Sequence, residues 1–206
     1  GQRDSIVVND STTIRLFYPR IRFEHTLSLN TYYYRYKDNQ ADSLYYASTY
    51  PLKVPASGGK IYLGDRWQET ANSFAIYTFP DAKNSQQYLK LGVTLQQLRG
   101  TFDSGAVSNR YNNLWAFGEY RNRTRNKKWE IAALGDLYLS GWNSGDYRAL
   151  LSLERFLPAK GAAVTLGVEN VNRKPSFNFY PASSFFLDQP KSWNKENHIQ
   201  IGRAHV

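Results

Sequence analysis

Cysteine and methionine are both absent from the 206 residues. Without cysteine there is neither a disulfide framework nor a thiolate metal site. The missing methionine, at position 1 above all, and the lack of a charged-then-apolar leader after Gly1 make a processed, trimmed or fragmentary chain the expectation. Long apolar runs are lacking as well. No stretch approaches the roughly 18 to 20 residues a membrane-spanning helix needs, so a helical membrane protein is excluded. Histidine is scarce: His25, His198 and His205 offer no pair at metal-ligand spacing. In Gly141-Trp-Asn-Ser-Gly145 the serine stands one place late for a nucleophile elbow, and phosphate-loop and dinucleotide fingerprints are missing. Glu130 and Asp136 sit six residues apart along one expected strand. At ~3.3 Å per residue that is about 20 Å, twice the reach of a glycosidic acid/base pair. No catalytic residue and no cofactor is implied, and the chain is not expected to be an enzyme.

What is present is aromatic and basic. Aromatics make up 16% of the residues, 16 of them tyrosine, and hydrophobic residues 41%, which excludes disorder. Lys+Arg 26 against Asp+Glu 17 gives a formal charge of +9. Such an excess suits nucleic acid or an anionic membrane surface. Its densest run, Arg121, Arg123, Arg125, Lys127 and Lys128, falls where a hairpin turn is expected, with no nucleic-acid motif beside it, so no nucleic-acid partner is expected.

Period-2 alternation dominates the chain. From Arg20 to Tyr33, Ile21, Phe23, His25, Leu27 and Leu29 share one parity, and Arg20, Arg22, Glu24, Thr26 and Ser28 the other. After Lys128, Trp129, Ile131, Leu137 and Leu139 oppose Glu130, Asp136 and Tyr138. Tyr147, Ala149, Leu151 and Leu153 oppose Arg148, Ser152 and Glu154, and Val164, Leu166 and Val168 oppose Thr165, Gly167 and Glu169. Segments 72–79 and 114–122 also read as strands, the first without a clear apolar face. Segment 88–102 fits either period, and Gly92, Val93, Thr94 and Gly100 favour strand. Short connections are expected at 80–87, 124–128 and 157–161, and long ones at 37–66, 103–112, 140–146 and 171–195. Turn residues (Gly58-Gly59, Asn126, Ser144-Gly145, Pro158, Lys160-Gly161) mark both kinds. No linker, low-complexity stretch or second domain interrupts the pattern.

Alternation of this kind suits a membrane barrel or a soluble β-sandwich. Strands of ~10 or more residues match a tilted bilayer crossing. Aromatics gather where strand ends are expected (Tyr32, Tyr33, Tyr34, Tyr36, Trp129, Trp142, Tyr147), as an interfacial girdle would. Mid-strand charges keep to one parity. The rival reading is a secreted sandwich that binds carbohydrate through exposed aromatics such as Tyr45, Tyr46 and Tyr50.

Three blocks carry a resemblance: Pro19-Arg-Ile-Arg-Phe-Glu-His-Thr26; Tyr111-Asn-Asn-Leu-Trp-Ala-Phe-Gly-Glu119, continuing to Trp129 and through Leu134-Gly-Asp-Leu-Tyr-Leu-Ser-Gly-Trp-Asn-Ser-Gly-Asp-Tyr147; and Lys174-Pro-Ser-Phe-Asn-Phe-Tyr180. The chain resembles the β-barrel porin family of Bacteroidota outer membranes. The resemblance implies an outer-membrane barrel larger than 206 residues can build, and no catalytic residues. The expected fold is therefore all-β, an antiparallel up-and-down meander of about seven or eight strands, forming an open, curved segment of a transmembrane β-barrel. Its partners would be outer-membrane lipid and small solutes passing by diffusion. The expected pore-lining residues are Arg22, Glu24, Glu119, Arg121, Glu130, Asp136, Arg148, Glu154 and Glu169. Expected on lipid are Ile21, Phe23, Leu27, Leu29, Ile131, Leu137, Leu139, Leu151, Leu153, Val164, Leu166 and Val168. With Arg20 and Lys90 added, the lumen charge balances near −1, which places the +9 in loops and turns.

The whole of 1–206 reads as one barrel segment. Its last six residues, Ile201 to Val206, leave the alternation and are the translation of ATCGGAAGAGCACACGTC, a string carried by a common sequencing adapter. A non-native tail at 201–206 and a truncated chain are expected, with unpaired edges near 20–36 and near Ile199.

Overall fold

The computed structural model describes residues 2–9, 12–18, 20–49, 59–81, 84–102, 107–157, 161–175, 183–184 and 194–205. A two-stranded hairpin comes first, β1 (Gln2–Asn9) with β2 (Thr12–Tyr18). Neither strand is among the sequence expectations. The long strands β3 (Ile21–Ala41) and β4 (Gly59–Thr78) follow, with a seven-residue helix α1 (Ser43–Thr49) between them. Asp42 caps that helix by accepting the N–H groups of Leu44 at 2.8 Å and Tyr45 at 3.2 Å, which satisfies two donors otherwise orphaned at a helix start. Then come β5 (Gln87–Phe102), β6 (Val107–Arg123), β7 (Trp129–Gly141), β8 (Tyr147–Leu157), β9 (Ala162–Arg173) and β10 (Glu196–His205).

β3 to β10 form one eight-stranded antiparallel sheet in strict sequence order, curled into a half-barrel, with β3 and β10 as its two edges. The strands exceed the usual 3 to 10 residues of soluble sheets: 21 in β3, 20 in β4, 16 in β5 and 17 in β6. Several connections are accordingly shorter than expected. The one between β3 and β4 spans 42–58 rather than 37–66, and the one between β5 and β6 only 103–106. Tyr32 to Tyr36 lie within β3, which continues to Ala41, and not at a strand end. Arg121 and Arg123 likewise belong to β6 rather than to the turn that follows. Gly59 opens β4, Asn126, Ser144, Gly145 and Gly161 are turn residues, and Gly58, Pro158 and Lys160 lie outside the described residues.

Apart from shifts at Asp38/Ala41 between β3 and β4 and at Leu114/Trp115 between β6 and β7, the register between neighbours is continuous, so side chains can be followed across the sheet. One face is apolar and open: Phe23 is 76% exposed, Leu29 70% and Ile201 72%. No second sheet covers this face among the described residues, whereas a sandwich would pack two sheets through such faces. The apolar stretch also steps along the strands. On β3 it runs up to Leu29, which shares a ladder row with Thr70, Gln97 and Asn112. On β9 it stops at Val168, in the row of Leu151, Ala133, Tyr120 and Leu89. Leu89 and Gln97 are eight residues apart on β5, so the band shifts by eight residues over the six steps from β3 to β9. A level apolar belt on tilted strands requires such a stagger.

Candidate pore-lining face

The opposite, concave face carries the paired charges. Each of the nine residues expected to line a pore has its Cα register on this face, and eleven of the twelve expected on lipid have theirs on the other, Leu139 lying in the register shift between β6 and β7. The period of two in each strand, carried through antiparallel pairing, puts them there.

At the end bearing the β4–β5, β6–β7 and β8–β9 turns, the charges form a chain of ion pairs. Glu24 on β3 accepts from Arg22 Nη2 at 3.0 Å, from the Tyr77 hydroxyl of β4 at 3.0 Å and from Lys90 Nζ of β5 at 2.9 Å. The Lys90 ammonium also lies 4.9 Å from the Tyr77 ring centroid and 5.5 Å from that of Phe117. Tyr88 donates to Glu119 at 2.6 Å, and Arg121 lies 3.5 Å from Glu119 and 3.8 Å from Glu130. Arg123, at 3.9 Å, shares Glu130. Glu154, directly across from Glu130, accepts from Thr165 at 3.0 Å. Asp136 stands opposite Arg148, whose guanidinium goes instead to Glu169 at 2.6 Å.

Toward the other end the same face turns aromatic and amide-rich. Trp67, Leu98 and Phe102 form a buried cluster with Tyr111 packed on it. Glu69 accepts from Gln96 at 2.5 Å and from Tyr32 at 3.2 Å, and Asn113 bridges Gln96 and Asn143 at 2.8 and 2.9 Å. Higher still, Asp65 is 2% exposed and binds Ser183 Oγ at 2.6 Å and the Ser184 N–H at 3.1 Å. The β9–β10 connection thus reaches back to β4. Sequence alternation did not assign Asp65, Glu69 or Arg123. Asp65 lies in the segment expected to be a long connection, Glu69 between that segment and the expected strand at 72–79, and Arg123 in the expected turn.

Two glycines fit the sheet by lacking a side chain. A Cβ on Gly92 would stand 2.3 Å from Phe117 Cζ and 2.6 Å from the Phe74 carbonyl oxygen. One on Gly141, where φ is +98°, would stand 1.9 Å from the Asn112 carbonyl oxygen.

An eight-stranded meander with a charged concave face and an uncovered apolar one is the arrangement of a membrane barrel wall. A family model described as "Putative porin" matches residues 10–204. The chain belongs to this porin family. Its members' name implies a channel rather than an enzyme, in keeping with a face built of mutually paired charges. Neither a curated protein nor a solved structure matches the chain.

Proposed function

We propose that the concave face of this porin-family chain lines an aqueous path across an outer membrane, that its apolar face meets lipid, and that small solutes cross by passive diffusion. The observation that carries this reading is the division of the sheet. Isoleucines, leucines and Phe23 are uncovered on one side, while Arg22, Glu24, Lys90, Glu119, Arg121 and Glu130 pair with one another on the opposite side. In water so large an apolar face would drive aggregation. In lipid it is the surface that stabilises insertion. A polar wall of paired charges sieves by size and only weakly by charge. The nine charged residues expected to line the pore hold that role in the proposal, and the twelve apolar ones the lipid contact. Residues 1–206 would act as one barrel segment.

The test is refolding into phosphatidylcholine vesicles. Migration that shifts on boiling, together with swelling of vesicles in isotonic small sugars, is the expected result. A chain that stays soluble and shows neither property would refute the reading.

A further inference from the structure

The apolar face does not end in neutral residues on every strand. Past the belt on β5 and β6, Gln97 and Arg99 of one strand stand directly opposite Asn112 and Arg110 of the other. With Gln68 and Thr70 of β4 they line a cleft of about 480 Å³. These six side chains share the lipid-side face of the sheet. Gln, Asn and Thr can turn donors into the cleft and the two arginines can only donate. No carboxylate balances them: among the described residues the outward face of β3 to β6 carries no Asp or Glu. Arg66 and Arg35 extend the same band, flanking the exposed ring of Tyr33 at 5.4 and 5.1 Å.

Arg99 and Arg110 are therefore a like-charged pair facing across one ladder row, an arrangement that costs stability unless an anion sits between them. Neither forms an ion pair among the described residues; Arg99 Nε has only Ser108 Oγ, at 3.4 Å.

Depth decides which anion. The apolar stretch of β5 runs from Leu89 to Leu95, centred on Gly92, so Arg99 lies seven residues from its centre. That is about 23 Å along the strand, and about 18 Å along the membrane normal for a strand tilted ~40°. The hydrocarbon half-thickness is about 15 Å and the headgroup region reaches roughly 20 to 22 Å. Arginine is the side chain suited to bidentate contact with phosphate oxygens.

We infer that the Gln97–Arg99–Arg110–Asn112 cleft binds the phosphate of a lipid headgroup, on the side of the membrane bearing the long β3–β4 and β9–β10 connections. This rests on the membrane reading above and adds a defined lipid site to it.

The experiment uses the full chain folded in neutral detergent micelles, with retained lipid counted by native mass spectrometry. Phosphatidic acid is the probe, diacylglycerol its phosphate-free counterpart, and inorganic phosphate the competitor. Retention of phosphatidic acid over diacylglycerol is expected, weakened about tenfold or more by R99Q/R110Q, as loss of charge-assisted contacts implies. R125Q, in the turn at the opposite end and paired there with Asp81, should leave it unchanged. Equal retention of diacylglycerol overturns the inference, as does displacement by an equal concentration of inorganic phosphate, or an unchanged R99Q/R110Q that still shifts on boiling. If R99Q/R110Q fails to fold, the comparison of lipids on the wild-type chain still decides. A wild-type chain that shows no boiling shift in micelles removes the membrane reading itself, and the lipid site with it.

Discussion

Lys90 of β5 reaches over β4 to place its ammonium 2.9 Å from the Glu24 carboxylate of β3. Strands two apart lie roughly 10 Å from each other, so the contact needs a concave surface and a long side chain. Both side chains are largely covered, 18% exposed for Lys90 and 28% for Glu24, which puts the pair between exposed pairs worth under ~1 kcal/mol and buried ones. A double-mutant cycle of Lys90→Met with Glu24→Gln should return a coupling on the order of 1 kcal/mol in a urea refolding titration. Zero coupling would mean that the pair is merely adjacent.

The stagger of the apolar belt sorts outward substitutions by depth. Leu91→Arg sits near the belt's centre on β5 and should destabilise by ~2 to 4 kcal/mol. Leu29→Arg, at the end of the apolar stretch of β3, lies nearer the rim and should cost less, about 1 kcal/mol. Ser28→Arg, on the concave face, should fold like wild type and reduce conductance. Equal costs for Leu91→Arg and Leu29→Arg in refolding titrations would show that the belt is not where the register puts it.

Much of this was legible because a half-wet sheet writes its faces into every second residue. Ile21 to Leu29 and Trp129 to Leu139 needed only parity to be read. β4 was harder. Its lower outward face mixes Asn72 and Thr70 with Phe74 and Ile76, and its inward face holds the small Ala71 and Ala75 beside Trp67, so neither parity is apolar throughout. The β1–β2 hairpin left a usable signal in Ile6-Val-Val-Asn-Asp-Ser-Thr12, an apolar run ending in turn residues. The tie between Asp65 and Ser184 left none: 119 positions separate them, and only the folded sheet brings them together.

The charge of the concave face is more acidic than alternation alone suggested, since Asp38, Asp65, Glu69 and Glu196 outweigh the added Arg123 and Arg173. A reconstituted channel with this wall should show a modest cation preference, visible as a reversal potential displaced toward the cation value in a salt gradient. Glu69→Gln with Glu130→Gln should move it back toward zero. A wild-type potential on the anion side would contradict the assigned face.

Gly92 tests packing without touching charge. Phe117 lies over it from the neighbouring strand, and the Phe74 carbonyl closes the other side, so an added methyl meets backbone that cannot swing away. Gly92→Ala should destabilise by about 1 to 3 kcal/mol, the usual cost of overpacking. Pairing it with Phe117→Leu should recover only part of the loss, because the carbonyl contact remains. Full recovery in the same titration would assign the whole clash to the ring.

The contact of helix α1 with Asp38, nine residues past Leu29 and beyond the belt, gives a pH dependence. Tyr46 is buried, donates its hydroxyl to Asp38 Oδ2 at 2.6 Å and meets the Tyr36 hydroxyl at 2.5 Å. The Tyr46 hydroxyl and then the Gln40 N–H, which approaches at 2.9 Å, hold the Asp38 carboxyl below its ordinary value. The same contact, with Tyr36 and burial behind it, pushes the Tyr46 phenol far up. A carboxyl whose folded value is depressed lends stability above its ordinary titration point and loses it as pH falls through the depressed one. Docking of α1 on β3 should therefore be constant near neutrality and loosen only in acid, below roughly pH 4. Being raised, the Tyr46 phenol acts in the opposite sense, its contribution intact until pH climbs past about 10. Amide exchange at Tyr46, whose N–H bonds the Asp42 carbonyl at 3.1 Å, reads the docking directly. Tyr46→Phe should speed that exchange at neutral pH and abolish its acid dependence, while leaving exchange in β7 and β8 untouched. An acid-dependent rate that survives Tyr46→Phe would place the switch elsewhere in the loop.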